Sequence, residues 1–132
     1  IMFKFGARSF NKLKGVHPDL VAVMTAAIKT SPYDFGITSG LRTLDEQKLL
    51  LKMGKSRTLK SRHLTGHAVD IIVYVDKRPT WEFKYYTQVA NHIKKIAKSL
   101  DIPIQWGGEI WAKYSYYDGP HFQLPVGDRY GR

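Results

Sequence analysis

Hydrophobic residues recur along this chain in two rhythms. Leu20, Met24, Ala27 and Ile28 follow helical spacing between His17-Pro18-Asp19 and Ser31-Pro32. A proline and an acid sit in the first turn, and the second proline stops the run, so a helix is predicted over 18–30. Phe35-Gly36-Ile37-Thr38-Ser39 reads as a strand ending at Gly40-Leu41-Arg42. Thr43-Leu44-Asp45-Glu46 fits a capping box, which predicts a helix running to Met53 and closing at Gly54. Ile71-Ile72-Val73-Tyr74-Val75 is β-branched and apolar, the mark of a buried strand. Asp76-Lys77-Arg78-Pro79 then makes a turn, and Thr80 can cap a long helix to about Leu100. The inner stripe of that helix would be Tyr86, Val89, Ile93, Ala97 and Leu100. Residues 102–106 form a short strand whose proline argues for a sheet edge. An aromatic loop over 107–117 leads to a last strand over 120–124 and a polar tail. Residues 3–16, polar and glycine-containing, are expected to wrap the surface. Helices come first and strands mix with helices afterwards. The order predicts an α+β fold, a small, mainly antiparallel sheet with flanking helices. Ile1, ahead of Met2, is set aside, so the single domain is taken as 2–132.

The chemistry gathers around Ser61-Arg62-His63-Leu64-Thr65-Gly66-His67-Ala68-Val69-Asp70, which feeds the central strand. Gly66 breaks the approach, so His63 should sit on a turn and Asp70 on the strand. A turn and its adjoining strand can aim two side chains at one point. His and Asp are good zinc ligands, and a third is usually drawn from elsewhere in the chain. His121, in Asp118-Gly119-Pro120-His121, is the candidate. A strand would splay residues three apart onto opposite faces, but the Gly-Pro turn removes that objection for Asp118. Two His, one Asp and a nearby carboxylate suit a hydrolytic zinc site, with Asp118 as general base. His63 and His67 have the spacing of a helical zinc pair. Gly66 and the β-branched run argue against a helix there, so His67 is left out of the ligand set. His17 and His92 read as helix residues without a site role.

Ser61-x-His63-x-x-Gly66-x-Ala68-x-Asp70, with Asp118-x-x-His121, resembles the two-part signature of the M15 zinc peptidases, the VanY/VanX-like superfamily. These are D-alanyl-D-alanine carboxypeptidases and dipeptidases, and the L-alanyl-D-glutamate endopeptidases of phage endolysins. Ser39-Gly40-Leu41-Arg42 resembles the family's strand-end motif. Phe3-Lys4-Phe5-Gly6 and Ser31-Pro32-Tyr33-Asp34-Phe35 are similar to the small phage endolysins in particular. The resemblance implies a Hedgehog/D-Ala-D-Ala peptidase-like fold and Zn2+ held by His63, Asp70 and His121. It implies that Asp118 is the catalytic acid–base, that Arg42 stabilises the oxyanion, and that Ser61 positions a substrate carboxylate. The substrate would be the stem peptide of peptidoglycan, cut between L-alanine and D-glutamate. Cleavage at terminal D-alanine is the alternative within the family. The loop after Trp106 offers mainly Glu109, so the regulatory calcium of some phage relatives is not expected.

Composition bounds these readings. The 132 residues are 43% hydrophobic, enough for one core. Cysteine is absent, which excludes a disulfide framework and thiolate ligands. No run reaches the length of a membrane span, and no signal-peptide core stands at the start. Synthesis in the cytoplasm and holin-type release to the wall would fit that pattern, with the protein acting as a monomer. The net charge of +10 favours an anionic partner. No nucleic-acid motif is present, and nucleic acid is not expected. The cations fall in two groups, Lys55, Arg57, Lys60 and Arg62 before the central motif, and Lys94, Lys95 and Lys98 on the long helix. Lys55, Arg57, Lys94, Lys95 and Lys98 are read as a surface for holding anionic cell wall. A non-catalytic, zinc-stapled wall-binding module is the rival reading from another class. Trp106, Trp111, Tyr114, Tyr116 and Tyr117 are read as core or rim, with a substrate-facing aromatic possible among them.

Overall fold

The computed structural model describes residues 2–112 and 117–132. Its helices are α1 (Ala7–Lys12), α2 (Pro18–Thr30), α3 (Leu44–Lys52), α4 (Phe83–Ser99) and α5 (Gly107–Ile110). The strands are β1 (Asp34–Ser39), β2 (Ala68–Val75), β3 (Arg78–Thr80), β4 (Gln105–Trp106) and β5 (His121–Gln123). The sheet runs β1-β2-β5-β4, with β3 also on β2, and every pairing is antiparallel. The expected α+β architecture is therefore present.

β2 organises the molecule because its two faces do different work. Val69, Ile71 and Val73 are fully buried in the main core, together with Leu20, Met24, Val89, Ile93 and Phe122. Alternation turns Ala68, Asp70 and Ile72 to the opposite face. On one side β2 pairs with β1 along most of its length. On the other side β5 takes Ala68 to Asp70 and β3 takes Val73 to Val75. Tyr86 bridges the join: its hydroxyl donates to Thr80 O at 2.8 Å and accepts from Val73 N at 3.2 Å.

Helix boundaries follow local chemistry. His17 Nδ1 accepts from Asp19 N and starts α2. The capping box at Thr43 and Glu46 forms in both directions. Elsewhere the structure corrects the sequence reading. Thr80 closes strand β3 rather than capping α4, and Glu82 stands at the helix start. The turn at Asp76 and Lys77 takes left-handed φ values of 51° and 67°, which folds the chain straight back as a hairpin. Leu100 is 43% exposed, and Ala90 fills the inner stripe instead. Residues 3–16 do not merely coat the surface. Phe5, Leu13 and Val16 are buried, Phe5 packs edge-on to Phe35 at 5.5 Å, and Ser9 Oγ accepts from Ile37 N at 3.0 Å. Few apolar residues were needed, because the segment's task is to cover the outer edge of β1.

The first crossing of the chain over the functional motif hinges on Gly66. Its φ is 76°, and a Cβ there would lie 2.5 Å from Gly15 O. Its own carbonyl accepts from His17 N at 2.8 Å. Gly66→Ala should therefore lower stability, with ~1–2 kcal/mol from the left-handed backbone and ~1–3 kcal/mol from overpacking. Urea midpoints at unchanged m-value would measure it; an unaltered midpoint would contradict this account of the turn.

Candidate metal and catalytic centre

The register of three strands builds the site. Asp70 on β2 has Ser39 of β1 as its partner on one side and His121 of β5 on the other. Cross-strand partners share a face, so Ser39, Asp70 and His121 stand in a row away from the main core. Two residues along, Gln123 is paired with both Ala68 and Gln105, which makes a second row on that face. His63 reaches the first row from a 3-10 turn, Arg62–Thr65. Ser61 Oγ accepts from His63 N at 3.2 Å to start the turn, and Gly66 closes it.

His63 Nε2 and His121 Nδ1 each lie 3.2 Å from Asp70 Oδ1. The three residues form a group that could hold a metal ion. Their outer bonds set which nitrogens face inward. His63 Nδ1 lies 2.8 Å from Gly40 O, an acceptor, so Nδ1 carries the proton and Nε2 the lone pair. His121 Nε2 lies 2.8 Å from Gln123 Oε1, while Gln123 Nε2 donates to Gln105 Oε1 at 3.0 Å. That chain leaves the lone pair of neutral His121 on Nδ1. His63 Nε2 is buried and makes no hydrogen bond of good geometry, despite its closeness to Asp70. Two imidazole lone pairs and a carboxylate oxygen converging on one point repel one another unless a cation lies between them. The donor set of two nitrogens and one oxygen suits zinc.

Electrostatics reflect the same convergence. Burial would favour protonated Asp70, but the closeness and charge of His121 and His63, when protonated, overcome it and hold the carboxyl well below its usual range. Burial would favour neutral His121, but the bond to Asp70 and its charge, with Gln123 and Asp118 adding, raise its pKa. Gly40 can supply its carbonyl only as glycine, because a Cβ would collide with Lys12 O.

Arg42 joins from the end of β1. Its Nη2 donates to Ser39 Oγ at 2.9 Å and lies 3.4 Å from Asp70 Oδ2. Its Nη1 donates to Gln47 Oε1 at 2.7 Å. Arg42, His63, Asp70 and His121 floor a cleft of about 640 Å³, which Asp118, Ser61 and Trp111 also line. Asp118 O accepts from His121 N at 3.2 Å across the Gly-Pro turn, so the turn brings Asp118 back beside the cluster.

The sequence from residue 1 to 125 matches the family model for phage L-alanyl-D-glutamate peptidase. The chain belongs to this family. It is 32% identical to the L-alanyl-D-glutamate peptidase of Escherichia phage T5, over 92% of this chain and 98% of that protein. Its structure is similar to the L-Ala D-Glu endopeptidase ChiX of Serratia marcescens. The TM-score is 0.84 at 43% identity, over 94% of this chain and 91% of that one. The vancomycin-resistance D,D-dipeptidase VanXYg matches with a TM-score of 0.50 at 18% identity, over 80% of this chain and 47% of that one. That last likeness concerns the fold alone.

Within this family fold, the remaining candidates take other places. His67 Nδ1 contacts Thr65 Oγ1 at 2.7 Å, and its ring lies near those of His17 and Tyr130. Burial, Arg62 and His17 lower its pKa. His92 Nε2 contacts Ala27 O and ties α4 to α2. Trp106 is buried, stacks on Phe83 and donates to Gly119 O at 2.8 Å. Trp111 sits 4.8 Å from His121, ring to ring, and is the aromatic closest to the cluster among the described residues. Tyr117 is exposed, whereas Tyr114 and Tyr116 lie outside the described residues. Glu109 pairs with Lys94 at 2.7 Å. Sequence reasoning missed Gly40, Gln47, Gln105 and Gln123. Only Gln123 left a signal: two residues beyond His121 on a strand, it had to share that face.

Calorimetric titration should give one divalent ion per chain. Gln123→Ala should weaken that binding ~10–100-fold, as loss of an orienting partner does, and leave the fold intact. Affinity should also fall as pH drops, because protons compete for both imidazoles. The raised pKa of His121 starts that competition above the ordinary imidazole value of about 6.5. Unchanged affinity in the variant would remove Gln123 from this role.

Proposed function

We propose that this protein is a zinc peptidase that cuts L-alanyl-D-glutamate bonds in peptidoglycan stem peptides. The observation that carries the reading is a cluster of two imidazoles and one carboxylate, open toward a cleft, in a chain of this family. Structural zinc sites close with four protein ligands. His67, the extra histidine that a stapled binding module would need, is engaged with Thr65 instead. Cleavage at a terminal D-alanine has weaker support, since the dipeptidase likeness is one of fold.

His63 Nε2, Asp70 Oδ1 and His121 Nδ1 would hold the ion. When bound, zinc supplies Lewis acidity, polarising the scissile carbonyl and making water acidic enough to attack at neutral pH. Asp118 would take the proton of the attacking water and deliver it to the leaving amine. Arg42, steadied by Ser39 and Gln47, would donate to the oxygen on which negative charge develops. Ser61, at the cleft wall, would help to position a substrate carboxylate.

The exposed Lys95 and Lys98 on α4 would hold anionic cell wall, with the protein working as a monomer. Lys55 and Arg57 line the cleft and Lys94 is paired with Glu109, so the tether is proposed for Lys95 and Lys98. Among the described residues no helix is long and apolar enough to cross a membrane. Release from the cytoplasm by a holin-type pore completes the proposal.

Mass spectrometry of purified sacculi after incubation with zinc-loaded protein should reveal new N-terminal D-glutamyl ends. New ends elsewhere, or none, would overturn the assignment. Asp118→Asn should retain zinc and fold and lose roughly 10²–10⁴-fold in turnover; near wild-type turnover at saturating zinc would exclude it as the acid–base. Lys95→Glu with Lys98→Glu should slow lysis of sacculi and spare a soluble stem peptide, a split that parallel losses would contradict.

A further inference from the structure

One wall of the cleft is made by the segment between α3 and the 3-10 turn. It brings Lys55, Arg57 and Lys60 to the cleft, with Arg62 from the start of the turn and Arg42 on the floor. Against these five cations the lining holds two carboxylates, Asp70 and Asp118. The cations are not equivalent. Arg62 spends Nε on Leu124 O and Nη2 on Pro125 O, and Arg42 is bound to Ser39, Gln47 and Asp70. Among the described residues no carboxylate pairs with Lys55 or Lys60, and both are exposed.

The wall is nevertheless held in place. Gln47 is fully buried, and its Nε2 donates to Ser56 Oγ at 2.8 Å and to Thr58 O at 2.7 Å. Leu50 O accepts from Lys55 N at 2.9 Å, and Thr58 Oγ1 accepts from Lys60 N at 2.9 Å. The backbone under each lysine is thus bonded, while both ammonium groups are left to the cleft. Through Arg42 Nη1, the same glutamine ties this wall to the floor beside Asp70. Wall and metal-ligand cluster therefore keep a set separation.

We infer that Lys55 and Lys60 select the charge of the substrate: they favour a D-glutamyl residue whose second carboxyl is a free carboxylate over one in which it is an amide. The inference rests on the peptidase reading above. A glutamyl residue linked onward through one carboxyl carries the other as an anion next to the bond that is cut. A neutral carboxamide offers the same shape without the charge, so two cations held at the rim discriminate between them. Opposed charges at a partly exposed rim act mainly on encounter and binding, which places the effect in KM rather than kcat.

Two soluble stem peptides differing only in that group, carboxylate or carboxamide, test it. The metal-loaded wild-type protein and the double variant Lys55→Gln with Lys60→Gln are compared on both. Wild type should prefer the carboxylate by about tenfold in kcat/KM, carried by KM, the combined size of two modest exposed ion pairs. The double variant should lose that preference through a higher KM on the carboxylate alone, with kcat, metal content and amide cleavage unchanged. Equal wild-type cleavage of both peptides, or equal loss on both in the variant, overturns the inference. Should wild type cut neither peptide, the peptidase reading fails. Calorimetry of the same four pairs then decides the carboxylate preference independently: tighter carboxylate binding in wild type alone supports it, and equal binding overturns it.

Discussion

Three electron-rich atoms meet at Asp70, and the rest of the site exists to make that meeting tolerable. His63 and His121 turn their lone pairs toward Asp70 Oδ1 at 3.2 Å, in a place where water is largely excluded. Left alone such a group is repulsive, and burial deepens the penalty. Every neighbouring feature eases or exploits it. Gly40 O and Gln123 hold the outward nitrogens protonated, and Arg42 steadies the second oxygen of Asp70. A site that could hold a metal ion follows from this arrangement, because a small cation with nitrogen and oxygen preferences removes the conflict.

The sheet supplies the rigidity that such a site demands. Three of the participating residues occupy one cross-strand row, so their spacing is set by strand pairing rather than by loops. The opposite face of β2 is sealed into the core by Val69, Ile71 and Val73. A slip of one residue would send Asp70 inward and a valine into the cleft. Burial of the apolar face and presentation of the ligand face are therefore the same structural event.

The cleft wall sits at the margin of the sheet. The wall over 55–62 lies outside the sheet and is tied to α3 by Leu50 O and by the amide of Gln47, the one fully buried residue of that helix. Leu44, Leu49 and Met53 of that segment face outward, while the polar residue is inside. Such an inversion reverses the usual preference. It makes sense where the buried group must satisfy three hydrogen bonds that position a cleft.

Much of this was legible in the order of residues. The β-branched apolar run of β2, the capping box at Thr43 and the proline at the start of α2 are local signals, and each predicts its own element. His63, Asp70, Asp118 and His121 could be named together because their motif spacing is short or resembles a known family. What lay beyond reach depended on partners distant in the chain. Ser9 meets Ile37, Gly40 serves His63, Gln47 binds Ser56 and Arg42, and Gln105 backs Gln123. A side-chain amide or a backbone carbonyl has no pattern of its own in a sequence; its role appears only when a second segment is folded against it. The surface segment 3–16 was misread for the same reason. Its few apolar residues look too sparse for a core until the open edge of β1 gives them something to cover. The sequence by itself determined α2, α3, most of α4, the strands β1, β2 and β5, and the residue types of the candidate metal cluster. Tertiary structure decided which ring nitrogens face the centre of the cluster and which cations line the cleft, because both depend on hydrogen bonds between residues far apart in the chain.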